Sequence, residues 1–380
     1  MSQPYVVVVG GGVLGASIAN ALVDRAARVT VLDAAMPASG ASTMSFAWVN
    51  AHKKKPESYF RLNAEGIETY HRMADEGIGK DWFHAVGNVE VATDSASSEA
   101  LDALVADLAG KGYPAKRITA AEAAELEPAI DADRVVDAAF FEREGWVDTE
   151  RMVVDMLARV TAAGGEVRTH TAVAGFESSG SRTLVRLASG EELVADHVVC
   201  AAGAETQRLL EGSGVTVRLI QEDDVVERAP GDSRYSAVGG LADTTPLRSP
   251  LRRVLHTPNM GLRPSASGRA VLAGDGAGSR IPRDHREIFA TGPMLLERAR
   301  KTFPVFEDVR LDRVRMGVRP LPADGRTVAG FTEAVPGLYV TVSHSGVTIA
   351  QHLAGLIASE VVNQDERVEL VDFRPSRFTS

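Results

Sequence analysis

A glycine-rich segment near the N-terminus constrains the fold more than any other part of the sequence. Gly10, Gly12 and Gly15 follow an apolar, β-branched run, Tyr5–Val9, which is typical of a buried parallel strand. Apolar side chains then recur at helical spacing, and a second β-branched run ends at Asp33. A strand, a glycine-rich turn, a helix and a strand that ends in an acid about 20 residues later form the fingerprint of a dinucleotide-binding βαβ unit.

Each part of this unit has a physical reason. Gly10 permits the tight turn, Gly12 lets the main chain approach a pyrophosphate, and Gly15 lets helix and strand pack closely. The helix N-terminus presents N–H groups and a partial positive charge to the phosphates. Asp33 is expected to accept hydrogen bonds from an adenosine ribose. A glycine-rich turn without a ligand is the alternative interpretation.

The composition excludes several classes of partner. The chain has 380 residues, enough for two domains, with 44% hydrophobic and 24% charged residues and a net charge of -10. Its one lysine cluster, Lys53–Lys55, is explained by a solvated loop, so nucleic acid is not expected as a partner. No apolar stretch approaches the ~20 residues of a membrane span.

The ends and the cysteine content indicate a cytoplasmic enzyme. The first strand begins near residue 5, which leaves no room for a cleavable signal segment. The single cysteine, Cys200, excludes an internal disulfide, and its apolar surroundings predict a buried strand residue with a packing role. No metal is expected.

A second strand–loop–helix pattern decides between NAD and FAD. Gly337–Val342 reads as a strand that runs through Ser343–Gly346 into an apolar-faced helix. Further strands are predicted over Gly165–Val173, after a helix from about 149 to 163, and over 196–202, which ends at Gly203. An NAD site needs one helix N-terminus, whereas FAD can use two, one under its pyrophosphate and one against the pyrimidine end of its ring. The sequence therefore favours FAD.

Taken together, these patterns resemble those of the FAD-dependent amine and amino-acid oxidoreductases related to D-amino-acid oxidase, glycine oxidase and sarcosine oxidase. The resemblance covers nearly the whole length, in order. Its pieces are the fingerprint Gly10–Asp33, Ser39–Ser42, Gly145–Asp148, Val198–Gly203, Gly317–Pro320 and Gly337–Gly346.

The resemblance implies an α/β fold of two domains. A discontinuous, Rossmann-like FAD-binding domain is expected from residues 1–85, 145–215 and 320–380. A substrate domain with a mostly antiparallel sheet is expected from 86–144 and 216–319. Short β-like runs such as Ala270–Ala273 between turn residues agree with this division.

Two departures from the family affect the cofactor site. Relatives usually carry Glu where this chain has Asp33, so the ribose contact is expected to be single or water-bridged. Some relatives attach the flavin to a cysteine near the C-terminus, whereas Cys200 lies in mid-strand. The resemblance therefore implies non-covalent FAD. The residues implied to hold FAD are Gly10, Gly12, Val13, Leu14, Gly15, Asp33, Ala41, Ser42, Val173, Ala202, Gly203, Ser345, Gly346, Val347 and Thr348.

Arg319 is the leading candidate for substrate recognition. In the resembled oxidases the arginine of a G-x-R-P element binds the substrate carboxylate, and Gly317–Pro320 matches that element. A planar guanidinium suits bidentate recognition of a carboxylate. A structural arginine paired with Asp312 or Asp324 is one alternative, and Arg263, in a second G-x-R-P tetrapeptide, is another.

Three histidines complete the set of candidates. His52, in a stretch that passes beside the flavin ring in relatives, can accept a proton from a substrate ammonium near pH 7, with a surface histidine as the alternative. His344 precedes the last helix, close to the flavin in relatives. His256 is interpreted as a buried strand histidine. In the same stretch as His52, Trp48 is expected to pack and Lys53 to be solvated.

We expect oxidation of a C–N bond in an amine or amino acid, with oxygen or a redox partner as electron acceptor. Some relatives use a lysine near the flavin to react with oxygen, and no lysine occurs between Lys116 and Lys301, which favours a dehydrogenase. An aromatic-ring flavin monooxygenase is an alternative, because Ala270–Gly276 resembles that class's G-D element. A flavin-binding electron-transfer subunit is another.

Overall fold

A computed structural model describes residues 3–221, 224–226, 235–274 and 285–378. The α-helices of this part are α1 (Val13–Val23), α2 (Glu57–Asp75), α3 (Ser95–Gly110), α4 (Ala120–Leu126), α5 (Thr149–Ala162), α6 (Thr206–Leu209), α7 (His285–Thr302) and α8 (Gly346–Asn363). Its strands are β1 (Tyr5–Val9), β2 (Arg28–Leu32), β3 (Trp48–Val49), β4 (Phe83–His84), β5 (Asn88–Ala92), β6 (Ala115–Ile118), β7 (Asp137–Phe141), β8 (Gly145–Val147), β9 (Glu166–Arg168), β10 (Val173–Ser179), β11 (Arg182–Leu187), β12 (Glu192–Ala195), β13 (His197–Cys200), β14 (Val225–Val226), β15 (Tyr235–Ser236), β16 (Val238–Thr244), β17 (Val254–Thr257), β18 (Met260–Pro264), β19 (Ala270–Gly274), β20 (Leu311–Val318), β21 (Val328–Phe331) and β22 (Leu338–Val342).

A six-stranded sheet carries the dinucleotide fingerprint. Its order is β21-β22-β13-β1-β2-β9, and all neighbours are parallel except the antiparallel pair β21–β22. Valines 6 to 9 of β1 are buried on both faces, which explains why this strand is a continuous apolar run rather than an alternating one. α1 packs against both α5 and α8. The predicted βαβ unit and the Rossmann-like fold are confirmed.

A second, eight-stranded sheet has the order β20-β16-β19-β18-β17-β5-β7-β6. Neighbouring strands are antiparallel except for the parallel pair β17–β5. Leu255, Leu262 and Leu272 of this sheet belong to one buried cluster with Leu295 of α7 and with Phe303, the residue that follows α7. α7 therefore covers one face of the sheet. The expected mostly antiparallel sheet is confirmed.

A small antiparallel sheet, β3-β8-β4, brings three rings into one row. Trp146 of β8 is the register partner of Trp48 on one side and of His84 on the other. The His84 and Trp146 rings stack with centroids 3.9 Å apart. The Trp48 ring of this row lies 4.9 Å from the ring of His52, centroid to centroid.

One predicted strand is wrong in its extent. The sequence predicts a single strand over Gly165–Val173, but β9 ends at Arg168 and β10 begins at Val173. Between them His170 has φ of 51°, and the Thr171 N–H donates to the Asp33 carbonyl. The chain leaves the parallel sheet there, and β10 pairs with β11 in a separate antiparallel sheet.

The division into two domains at the expected residue boundaries stays a prediction. Among the described residues no helix is both long and apolar enough to cross a membrane.

Cys200 is fully buried in β13, and burial raises the pKa of its thiol to about 12.

Candidate active site

The glycine-rich loop joins the carboxyl end of β1 to the start of α1. Gly10 has φ of 105°, and a Cβ atom there would lie 2.5 Å from the Ala201 carbonyl oxygen. A Cβ atom on Gly15 would lie 1.8 Å from the Gly10 carbonyl oxygen. Both approaches require glycine, so these two positions build a backbone-lined turn at the helix N-terminus.

Asp33 holds this turn from the end of β2. Its Oδ2 accepts a hydrogen bond of 2.7 Å from the Gly11 N–H, and its Oδ1 accepts one of 2.9 Å from the Ala35 N–H. The carboxylate therefore fixes the loop as well as standing where a ribose is expected. The ribose contact itself stays a prediction.

Ser42 lies against the first turn of α1. Its buried hydroxyl accepts a hydrogen bond of 3.1 Å from the Val13 N–H, and a Cβ atom on Gly12 would lie 3.0 Å from the same oxygen. The predicted turn that contains Ala41 and Ser42 is thus brought to the glycine loop. The end of β13 arrives from the other side, because the Ala201 carbonyl touches Gly10, which places Ala202 and Gly203 next to the loop.

Two helices begin close together at this place. A Cβ atom on Gly346, the first residue of α8, would lie 3.7 Å from Leu14 of α1. The Ser345 hydroxyl, which precedes the helix, accepts a hydrogen bond of 2.8 Å from the Tyr59 hydroxyl. His344 is exposed in the loop before them. The structure therefore brings together the two predicted strand–loop–helix sites, while Val173 packs under them in a buried cluster with Val9 and Leu32.

The residues at this place fit FAD. Two adjacent helix N-termini offer main-chain N–H groups and positive partial charge, as a pyrophosphate and a flavin pyrimidine require. The close approaches at Gly10 and Gly15 leave a surface of main chain, and Asp33 supplies a carboxylate at the end of β2.

A segment that we call the strap, Trp48–His52, leads from this site toward the eight-stranded sheet. The Trp48 carbonyl accepts a hydrogen bond of 3.4 Å from the Thr348 hydroxyl of α8, and the Asn50 N–H donates one of 3.4 Å to the same hydroxyl oxygen. The Trp48 ring lies 4.0 Å from the ring of His256, centroid to centroid. The strap therefore touches the first turn of α8 and the sheet at once.

His52 is buried rather than on the surface, between two carboxylates. Its Nε2 lies 2.6 Å from Oε1 of Glu144, and its Nδ1 lies 3.7 Å from Oε2 of Glu90. Burial raises the pKa of Glu90, against the opposing charge of His52. Lys53, the next residue, is exposed as expected.

His256 is a buried strand histidine, as predicted. Its Nδ1 lies 2.9 Å from Oδ1 of Asn88, and because that amide oxygen only accepts, the proton sits on Nδ1. Burial lowers the pKa of His256 to about 3, so the ring is neutral at any ordinary pH.

Arg263 is bound within the protein. Its Nε–H donates a hydrogen bond of 2.6 Å to the Phe46 carbonyl, and its Nη1 donates one of 2.9 Å to the Pro264 carbonyl. The guanidinium lies 4.6 Å from the Trp146 ring centroid, and burial lowers the pKa of Arg263 to about 10. These contacts hold the Arg263 guanidinium at the junction of two sheets.

Arg319 follows the last residue of β20 and is half-buried. Its Nε–H donates a hydrogen bond of 3.3 Å to the Ala237 carbonyl, and its Nη2 donates one of 3.4 Å to the Val238 carbonyl. A Cβ atom on Gly239 would lie 3.5 Å from the Arg319 Nε, so the side chain lies along bare main chain of β16.

The two acids proposed as structural partners of Arg319 have other arginine partners. Asp312 pairs with Arg269 at 2.5 Å, and Asp324 pairs with Arg377 at 2.7 Å.

Sequence reasoning missed Glu144, Arg315 and Asn88. Glu144 directly precedes the Gly145–Asp148 motif, but a charged residue in a polar turn gives no signal of burial. Arg315 donates to the Thr43 carbonyl and to Asp243, at 2.7 Å for the latter, and so fixes the chain just before the strap. The G-D element of the monooxygenase alternative ends at Asp275 and Gly276, which lie outside the described residues.

Comparison with known proteins identifies the family. The sequence matches the family described as FAD dependent oxidoreductase over residues 5–360. It is 26% identical to the glycine oxidase of Geobacillus kaustophilus (strain HTA426), over 96% of this chain and 95% of that protein. It is 23% identical to a subunit of the opine oxidase of Agrobacterium tumefaciens (strain Ach5), over 100% of this chain and 98% of that protein.

The fold agrees with this match. The crystal structure of glycine oxidase from Geobacillus kaustophilus superposes with a TM-score of 0.81 and 22% identity, covering 99% of each chain. FAD as cofactor and the oxidoreductase class, both expected from the sequence, are confirmed. The chain therefore belongs to the family of FAD-dependent oxidoreductases.

Proposed function

We propose that this oxidoreductase oxidises the C–N bond of an amino acid or a related amine, and that Arg319 binds the substrate carboxylate. FAD supplies the hydride acceptor, and the imine product hydrolyses in water. The rest of the task falls to the protein: it holds the substrate in register, keeps water out and takes up a proton.

The observation that carries this proposal is the setting of Arg319. Two of its hydrogen bonds go to main-chain carbonyls, those of Ala237 and Val238, and Asp312 and Asp324 each pair with another arginine. A guanidinium fixed through its edge by main-chain carbonyls is preorganised for a planar, bidentate anion. The pairing of Asp312 and Asp324 with other arginines supports the carboxylate role.

The cofactor-binding residues follow from the same geometry. We propose that the first turn of α1 and Ser42 hold the pyrophosphate, that Asp33 holds the ribose, and that the first turn of α8 faces the flavin pyrimidine. Positive partial charge at that second helix start favours an anionic form of the reduced ring. Non-covalent attachment stays a prediction.

The rings at the strap support exclusion of water from the reacting atoms. The Trp48 and His256 ring centroids lie 4.0 Å apart with the rings tilted by 38°, and Phe46 meets His256 edge-on at 5.7 Å. His256 is neutral, so it adds no charge that would repel a substrate ammonium.

His52 and His344 stay predicted catalytic residues. The Glu144 carboxylate 2.6 Å from Nε2 supports a role for His52 in holding a proton within a buried pair. The exposure of His344 supports access from solvent at the flavin end of the site.

The names of the relatives narrow the substrate class. One relative is called a glycine oxidase, and another is named as part of an opine oxidase. We propose a compact amino acid or an N-substituted amino acid as substrate. For the electron acceptor, the absence of lysine between Lys116 and Lys301 supports a dye or redox partner over oxygen. The cytoplasmic location stays a prediction.

The multi-subunit opine oxidase among the relatives favours a second candidate, a flavin-binding subunit of a larger oxidase. This candidate predicts that the isolated, FAD-loaded chain is reduced by substrate but passes electrons on slowly until a partner is added.

The test is anaerobic mixing of the FAD-loaded protein with amino acids and their decarboxylated amines, followed by flavin bleaching. Bleaching by amino acids, weaker with the amines, is the expected result. Admission of oxygen and then of a dye separates oxidase from dehydrogenase. If neither the amino acids nor the amines bleach the flavin, the proposal is overturned.

A further inference from the structure

A buried carboxylate outside the sequence-predicted site holds the strap at both ends. Glu144, in the turn between β7 and β8, is 0% exposed. Its Oε2 accepts a hydrogen bond of 2.8 Å from the indole Nε1–H of Trp48, and its Oε1 lies 2.6 Å from Nε2 of His52. The Tyr113 hydroxyl donates a third contact, of 2.6 Å, to Oε1.

A charge in such a position is costly unless it is fully paired. Removal of a carboxylate from water is compensated only by well-placed donors. Glu144 accepts two hydrogen bonds, from Trp48 and Tyr113, and has the His52 ring nitrogen as a close polar neighbour. Burial, together with the nearby Glu144, raises the pKa of Tyr113, so the phenol stays protonated and remains a donor. Two of these three polar neighbours, Trp48 and His52, are the end residues of the strap.

The strap transmits this constraint to the site. The Trp48 carbonyl and the Asn50 N–H both contact the Thr348 hydroxyl in the first turn of α8, and the Trp48 ring packs at a tilt against the His256 ring. The His52 N–H donates to the Asn50 side-chain oxygen at 3.1 Å, which closes the strap on itself. A shift of the Glu144 carboxylate would therefore move both the Trp48 ring, which packs on His256, and the strap's contact with α8.

We propose that Glu144 is a positioning residue that sets the place of Trp48 and His52 relative to the first turn of α8. The inference rests on the proposed function insofar as the strap borders the reacting substrate. It needs no direct contact between Glu144 and substrate or cofactor.

The test uses Glu144→Gln, Trp48→Phe and the double variant, with Glu142→Gln as the control. Glu142 is exposed and lies two residues away, so its variant removes the same charge without touching the strap. Trp48→Phe keeps an aromatic ring but removes the indole donor. The measurement is the limiting rate of anaerobic flavin reduction at saturating FAD and substrate.

We expect Glu144→Gln to lower this limiting rate roughly 10- to 100-fold, because misplacement of a site wall by about 1 Å has effects of that size. The apparent substrate affinity should change much less. Trp48→Phe should give a loss of the same kind, and the double variant should be no slower than the slower single variant, because both changes break one interaction. Glu142→Gln should match the wild type.

Independent effects that multiply in the double variant would overturn the proposal. So would a wild-type limiting rate in Glu144→Gln accompanied only by a lower melting temperature, since that is the signature of a purely structural residue. If Glu144→Gln does not fold, Trp48→Phe decides alone, and a wild-type rate there contradicts the proposal.

A second readout separates this inference from the proposed function. If no amine reduces the flavin, the visible circular dichroism of bound FAD still reports the strap's position. Glu144→Gln and Trp48→Phe should change that spectrum in the same way, and Glu142→Gln should not. Unchanged spectra in both variants would overturn the positioning role whatever the substrate is.

Discussion

The Nε–H of Arg263 donates a hydrogen bond of 2.6 Å to the main-chain carbonyl of Phe46. Arg263 belongs to β18 of the eight-stranded sheet, whereas Phe46 lies between the Ser42 turn and the strap. The same guanidinium covers the Trp146 ring of the small sheet at 4.6 Å. One buried cation thus joins the eight-stranded sheet to the segment between the Ser42 turn and the strap.

Replacement of Arg263 by Met should lower stability rather than change substrate preference. The Phe46 and Pro264 carbonyls would lose a donor, which costs about 1–3 kcal/mol per buried unsatisfied group. Urea unfolding of the FAD-loaded protein measures this, with the exposed Arg310→Met as control. Undiminished stability together with a lost preference for amino acids over amines would instead make Arg263 the substrate arginine.

Gly12→Val should abolish FAD retention. The Cβ atom would already lie 3.0 Å from the Ser42 hydroxyl, and the branched methyl groups would extend across the helix N-terminus. Flavin content after purification is the measurement. Gly355→Ala, in α8 with no atom near its added Cβ, is the control and should keep its FAD while gaining up to about 1 kcal/mol of helix stability. A normal flavin content in Gly12→Val would refute the assigned pyrophosphate site.

Asp33→Ala should weaken FAD binding by about 1.5–3 kcal/mol, the value of hydrogen bonds to a charged group. Two effects combine, because the Gly11 and Ala35 N–H groups lose their acceptor and the ribose loses its carboxylate. Titration of the apoprotein with FAD measures the affinity. Asp33→Asn keeps an acceptor oxygen and should lose less. An unchanged affinity in the alanine variant would show that Asp33 serves neither the loop nor the ribose in binding.

Arg319→Ala should erase the preference for an amino acid over its decarboxylated amine. The loss on the amino acid should reach roughly 3–5 kcal/mol in transition-state stabilisation, since the substrate carboxylate would be left unpaired. Arg319→Lys should also be damaging, because lysine lacks the planar fork. The measurement is the rate of flavin reduction by the amino acid and by the amine, in variants with normal FAD content and with Arg310→Lys as the control. Equal losses on acid and amine, or loss of flavin, would make Arg319 structural.

His256 should make stability depend on pH in weakly acidic solution. Its pKa is about 3 in the folded protein against 6.5 as the ordinary value, so between these limits the unfolded chain binds the extra proton. The contribution of His256 to the free energy of unfolding is therefore fully present above pH 6.5 and is lost as the pH falls through this window. His256→Gln should reduce the slope of the unfolding free energy by up to about 1.4 kcal/mol per pH unit. Equal slopes in the two proteins would contradict the neutral, buried state.

Local patterns were sufficient for the parallel sheet and for the two helix starts. The β1–α1–β2 unit, α5, β13, β22 and α8 all occur where periodicity and turn residues predicted them. The strand over Gly165–Val173 failed, because its break at His170 serves a hydrogen bond to Asp33 that no local pattern encodes. The family resemblance, rather than periodicity, supplied the role of Arg319.

The sequence by itself determined the dinucleotide fold, since glycine spacing and apolar runs act over a few residues. Only the tertiary structure decided where His52, Arg263 and Glu144 lie and which groups they contact. Glu144 meets Trp48 across 96 positions of the chain and Tyr113 across 31. Whether an ionisable side chain is exposed, paired or buried depends on such distant neighbours, because the free energy of a charge is set by the donors and the water around it.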